Sequence, residues 1–147
     1  MSTDYDTDFY VWAKEQASLL RAGRFSQIDI EHVAEEIEDL GKRERRALES
    51  RLGVLLGHLL KWCYQGDYPY WKSWRATIRA QRRSLERLLQ DNCSLRANLE
   101  HVVERSYLDG LDLAVAETPL DYDALPSTCP WSIEEILGDF WPDVGSA

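Results

Sequence analysis

Six aromatic residues fall within thirteen positions: Trp62, Tyr64, Tyr68, Tyr70, Trp71 and Trp74. They stand directly before a segment carrying Arg75, Arg79, Arg82, Arg83 and Arg87. Rings beside guanidinium groups suit the stacking of bases of single-stranded nucleic acid. They suit a protein-interface anchor equally, because Trp, Tyr and Arg dominate binding energy there. The plainer alternative is that the rings close one end of a helical domain. A second constellation is Arg51 with His58, two helical turns or ~10.5 Å apart on a shared face. Both fall on or beside an apolar stripe, where a charged group requires a partner. A packed core histidine and an internally paired arginine would also account for them.

Metal chemistry finds less support. Asp29, His32 and Glu36 stand at i, i+3 and i+7, and Glu35, Glu38 and Asp39 can share a face. The Glu-x-x-His pattern that a di-iron bundle repeats on two helices does not occur. Glu31–His32 and Glu100–His101 are sequence neighbours whose side chains point apart. These groups read as solvated acidic faces, and neither a metal nor a cofactor is expected. Cys63, Cys93 and Cys129 are odd in number, lack Cys-x-x-Cys spacing, and read as reduced thiols of a cytosolic protein. There is no Gly-rich phosphate loop and no Gly-x-Ser-x-Gly elbow.

The elements that must position these residues all read as helices. Thr7 is the expected cap of a first helix that buries Phe9, Trp12, Ala13, Gln16, Leu19 and Leu20, with Gly23 in the left-handed position after its end. Asp29 caps a second helix, whose stripe Ile30, Val33, Ala34, Ile37 and Leu40 stays in phase through Ala47, Leu48, Leu52, Leu55, Leu59 and Trp62. One straight helix over 29–64 would be ~54 Å long, against a compact sphere about 38 Å across, so a break or bend near Gly41 is expected. Ser73 caps a third helix over about 74–90, burying Trp74, Ile78, Gln81, Leu85, Leu88 and Leu89 beside the arginine sector. Ser94 opens a fourth, which Pro119 ends. Ser132-Ile-Glu-Glu135 has capping-box spacing for one short turn, and Trp131, Ile136, Phe140 and Trp141 would dock it. The expected fold is an all-α, up-and-down bundle of four to five helices in a single domain, residues 1–147.

The net charge of −9 is strongly patterned. Residues 1–41 carry −7, residues 42–87 carry +8 and residues 88–147 carry −10. A basic middle helix between acidic neighbours is one reading, and a face for an acidic partner or phosphate is the other. The overall acidity argues against nucleic acid, which normally meets a basic domain. No run of 18 apolar residues occurs, so no membrane span is expected. Met1 to Asp8 carries acids instead of a secretory leader's basic and apolar regions. A cytoplasmic location is therefore expected.

Several stretches together carry a family resemblance. They are Tyr5-Asp-Thr-Asp-Phe-Tyr-Val-Trp12, Glu35-Glu-Ile-Glu-Asp-Leu-Gly41 with His58-Leu-Leu-Lys-Trp62, Ser73-Trp-Arg-Ala-Thr-Ile78, Cys129-Pro-Trp and Asp139-Phe-Trp-Pro142. The chain resembles the bacterial domain-of-unknown-function family number twenty-nine over almost its whole length. That resemblance implies an all-helical cytosolic domain and carries no catalytic residue over. Separately, the Arg-x6-His spacing looks like the outer limit of the motif in HEPN-type helical ribonucleases. It implies a metal-independent ribonuclease, such as the toxic half of a toxin–antitoxin pair, in which His58 handles a proton and Arg51 steadies phosphate charge. The reading that asks less of the residues is a non-enzymatic interaction module. Its contacts would be Trp62, Tyr70, Trp71, Trp74, Arg75, Arg79, Arg82 and Arg83, and its partner a protein or a single-stranded nucleic acid. A homodimer is compatible with either.

Overall fold

The computed structural model describes residues 4–144; Met1–Thr3, the start of the acidic N-terminal stretch, lie outside the described residues. Five α-helices and three short 3₁₀ turns make up the regular structure, with no strand among the described residues. The helices are α1 (Phe9–Arg21), α2 (Ile30–Tyr64), α3 (Trp71–Asp91), α4 (Leu99–Glu117) and α5 (Ile133–Leu137). The chain divides into two compact units, Met1–Arg43 and Glu44–Ala147. No helix is long and apolar enough to cross a membrane among the described residues.

In the N-terminal unit Asp8, not Thr7, caps α1, accepting the Val11 N–H at 3.1 Å. A carboxylate there also meets the positive end of the helix dipole. Gly23 turns the chain with a φ of 72°, as its position after α1 implies. Of the apolar side expected for α1, only Trp12 and Gln16 are buried. Both serve Asp29, at the head of α2: the Trp12 indole N–H donates to its carboxylate at 3.1 Å, and its own N–H donates to Gln16 Oε1 at 2.8 Å. Phe9, Leu20, Ile30, Ile37 and Leu40 are exposed.

The expected break at Gly41 is absent. α2 runs through it without interruption, because a helical glycine costs only about 1 kcal/mol relative to alanine. The flanking Lys42–Leu48 segment is rich in good helix formers.

In the C-terminal unit α2 is buried on nearly all sides from Leu52 to Cys63. Leu48, Leu52, Leu55, Leu56, Leu59 and Leu60 join Ile78, Leu85 and Leu89 of α3 with Val102, Tyr107 and Ala114 of α4 in one core. The approach of α2 to α4 is backbone on backbone. A Cβ on Gly57 would stand 2.6 Å from Leu113 Cδ2 and 3.1 Å from the Gly110 carbonyl oxygen, and one on Gly110 would stand 3.0 Å from the Gly57 nitrogen. Two starts differ from the sequence expectation. α3 begins at Trp71 with Tyr70 in the cap position, so Ser73 lies inside the first turn; packing of Trp71 on Trp62 and of Trp74 on Tyr68 holds that turn. Ser94 lies in the 3₁₀ turn Cys93–Asn98, and α4 starts only at Leu99. Ser132 and Glu135 form both bonds of the capping box, and the buried Tyr107 hydroxyl pins the preceding loop by donating to the Pro126 carbonyl at 2.6 Å.

Gly57→Ala is expected to lower the unfolding free energy by about 1–3 kcal/mol through overpacking. A urea titration followed by helical circular dichroism measures it as a lower midpoint at unchanged slope.

Candidate binding site

α3 turns Trp74, Ile78, Leu85 and Leu89 into the core. Arg75, Arg79 and Arg83 succeed one another at four-residue steps, ~6 Å apart along the axis, and all three are exposed. Together with Arg82 and Glu86 they form one wall of a cleft of about 390 Å³, whose other wall is Leu137, Gly138, Asp139 and Trp141 of the C-terminal tail. Among the described residues of their unit, no carboxylate lies within 4.0 Å of Arg75, Arg79 or Arg83, although Glu86 and Asp139 share the cleft. Three guanidinium groups in one row repel one another.

Arg82 does different work and leaves the expected contact surface. It is 9% exposed, and it donates to the carbonyls of Ile136 at 2.8 Å, Glu135 at 3.0 Å and Phe140 at 2.6 Å. Its guanidinium also lies 5.3 Å from the centre of the Trp141 ring. Burial pulls its pKa below the usual arginine range, opposed by the charge of Asp139. α5 has five residues, too few to be stable alone, and its last carbonyls lack helical partners. Arg82 supplies them, which fixes the tail wall of the cleft.

The aromatic residues divide between packing and surface. Trp74 is buried and stacks with Tyr68 at 5.5 Å and 4°. Trp62 packs edge-on to Trp71 at 6.3 Å and against Trp141 at 4.9 Å, which joins the aromatic group to the arginine cleft. Tyr70 and Trp71 remain exposed, at 60% and 41%. A small apolar cavity of about 220 Å³ lies among Trp62, Gly66, Trp71, Trp74 and Val144.

Arg51 and His58 each find a separate local partner. Arg51 is exposed and donates to Gln81 Oε1 at 3.4 Å. His58 is half-buried, with Nδ1 2.8 Å from the carbonyl of Val54 one turn earlier. Burial lowers its pKa, the Val54 hydrogen bond opposes this, and the charge of Lys61 adds to the lowering. No hydrogen bond joins the two side chains. What sequence reasoning missed is Lys61 itself, 1% exposed. Its ammonium pairs with Glu117 and lies 5.6 Å from the Trp74 ring centre. The available signal was its place inside the most apolar stretch of α2, between Leu60 and Trp62.

In the N-terminal unit the acid and histidine groups form a hydrogen-bonded network. His32 Nδ1 lies 2.7 Å from Asp29 Oδ2, its ring stacks on Tyr5 at 4.1 Å, and the Tyr5 hydroxyl donates to Glu36. That bond pushes the Tyr5 pKa up to about 12. Among the described residues no three His, Cys, Asp or Glu side chains are placed to hold a metal ion, and no disulfide joins the three cysteines.

Two outcomes follow from these contacts. Arg82→Met removes three charge-assisted bonds and is expected to cost about 2–4 kcal/mol. Limited proteolysis will show it as new cleavage within residues 125–142. The Asp29 hydrogen bond raises the His32 pKa and lowers that of Asp29. The His32 contribution is therefore complete below the ordinary imidazole value and disappears as pH rises through the raised one. The Asp29 contribution is lost only as pH falls through its own depressed value. The thermal-midpoint difference between the native chain and His32→Asn should be larger at about pH 6 than at about pH 8.5.

The family model described as "Domain of unknown function DUF29" matches residues 5–141. No curated protein and no solved structure matches the chain. The match covers nearly the whole chain, and the chain belongs to that family.

Proposed function

We propose that this DUF29 member is a non-enzymatic interaction module that holds an acidic protein segment along Arg75, Arg79 and Arg83. The observation that carries this reading is the unpaired, exposed arginine row on the wall of a formed cleft. Guanidinium groups bind carboxylates in a fixed bidentate geometry. A helix with acids at i, i+4 and i+8 has the same ~6 Å step as the row. Trp71, one further four-residue step along α3, and Tyr70 add exposed aromatic surface of the kind that anchors interfaces.

Glu86 and Asp139 stand on the cleft walls and oppose any anion equally, so the choice of a protein partner over nucleic acid rests on the charge of the chain. The chain as a whole carries −9, which opposes the long-range attraction that nucleic-acid binding relies on. The separate local partners of Arg51 and His58 give the ribonuclease reading no corresponding support.

Fluorescence anisotropy with a labelled helical peptide carrying Glu at i, i+4 and i+8, beside a single-stranded RNA of equal charge, tests the proposal. The expected result is salt-sensitive peptide binding that weakens about tenfold or more in the Arg75→Ala/Arg79→Ala/Arg83→Ala variant. Arg51→Ala/His58→Ala should leave it unchanged. Absence of peptide binding, binding indifferent to the triple variant, or tighter binding of the RNA would overturn the proposal.

A further inference from the structure

The chain itself contains a helix of the required chemistry. Glu31, Glu35 and Asp39 stand on α2 at the same four-residue steps as the arginine row. Glu31 and Glu35 are exposed, Asp39 is half-exposed, and none of the three makes an ion pair within the N-terminal unit. The contacts that α2 receives here run through Asp29 and His32, from α1, and through Glu36, from Tyr5. Ile30 at 68% and Ile37 at 63% are also exposed, on the opposite side of the helix from the three acids. An acidic helix face thus occurs in one unit, and an arginine row extended by an exposed tryptophan occurs in the other.

We infer that the occupant of the arginine row is the acidic face of α2 from a second copy of this chain, so that the protein assembles with itself. The inference rests on the reading of the arginine row given above and names its partner. Charge complementarity between segments selects the second copy: residues 1–41 carry −7 and residues 42–87 carry +8, so opposite charges meet at the contact even though each chain carries −9 overall. A symmetric pair that makes the contact twice, each copy giving its acids to the other's arginines, would close as a dimer. Pairing the rows places three carboxylates against three guanidinium groups, with the exposed Trp71 next in line along α3. Each row is then relieved of the repulsion among its own like charges.

Sedimentation velocity on the full chain, from a few to about 200 µM in low salt, reads the assembly directly. The expected result is a monomer–dimer equilibrium that raised salt shifts to monomer. Arg79→Glu alone and Glu35→Lys alone should each weaken association about tenfold or more. A mixture of the two variants should recover it, because both contacts of the mixed dimer again pair opposite charges. Both residues are exposed, so circular dichroism should show native helicity in each variant. A chain that stays monomeric at the highest concentration overturns the inference. So does a dimer indifferent to either reversal, or one that mixing fails to restore. The peptide titration is made on monomer at low concentration and reports on the arginine row by itself. A row that binds the peptide in a chain that never dimerises would discard the self-assembly and leave the acidic-segment reading in place.

Discussion

One buried guanidinium organises the C-terminal unit. Arg82 enters the angle between α3 and the tail and donates to three carbonyls there, two of them from the last turn of α5. A five-residue helix has no independent stability. Its C-terminal carbonyls carry the negative end of the helix dipole, so a cation is the group that satisfies them best. The Trp141 ring closes over the same guanidinium and packs against Trp62, which ties the tail to the aromatic end of α2. The second wall of the arginine cleft exists because Arg82 is inside it.

The division of labour among the arginines sets what the cleft can do. Arg82 and Arg75 are seven residues apart and so differ by only ~20° around the helix axis. One is buried and the other exposed, because the tail covers that side of α3 only along part of its length. The residues left in the open, Arg75, Arg79 and Arg83, face Asp139 across the cleft without pairing with it. A cleft lined by Arg75, Arg79 and Arg83 with Glu86 and Asp139 holds more cations than acids in a chain that is negative overall, and field lines concentrate in such concavities.

The same comparison explains how much was legible in the sequence. Features fixed by a few adjacent residues were readable: the left-handed Gly23, the Ser132–Glu135 capping box, the stop before Pro119 and the arginine sector of α3. So was the helical class, because apolar spacing at 3.6 residues does not depend on a partner. Features decided by distant contacts were not. The α3 start depends on Trp62 and Tyr68 packing against it. Lys61 is hidden in a leucine-rich stretch, and its pairing with Glu117, 56 positions away, has no local sign. Ile30, Ile37 and Leu40 read as core because periodicity marks an apolar face without saying what buries it. In the N-terminal unit little does.

That exposed apolar face also bears on the length of α2. Where a glycine is needed in this chain, neighbouring atoms show why: a Cβ on Gly57 or Gly110 would press into the facing helix. Around Gly41 there is nothing within 4 Å, so it contributes a helical weak point without allowing a close approach in the chain itself. The helix continues past it because the residues on either side favour helix and because propagation, once begun, adds one hydrogen bond per residue fixed. Glu31, Glu35 and Asp39 all stand before Gly41, so their four-residue register is set by the first turns of α2 and does not require the helix to continue past the glycine.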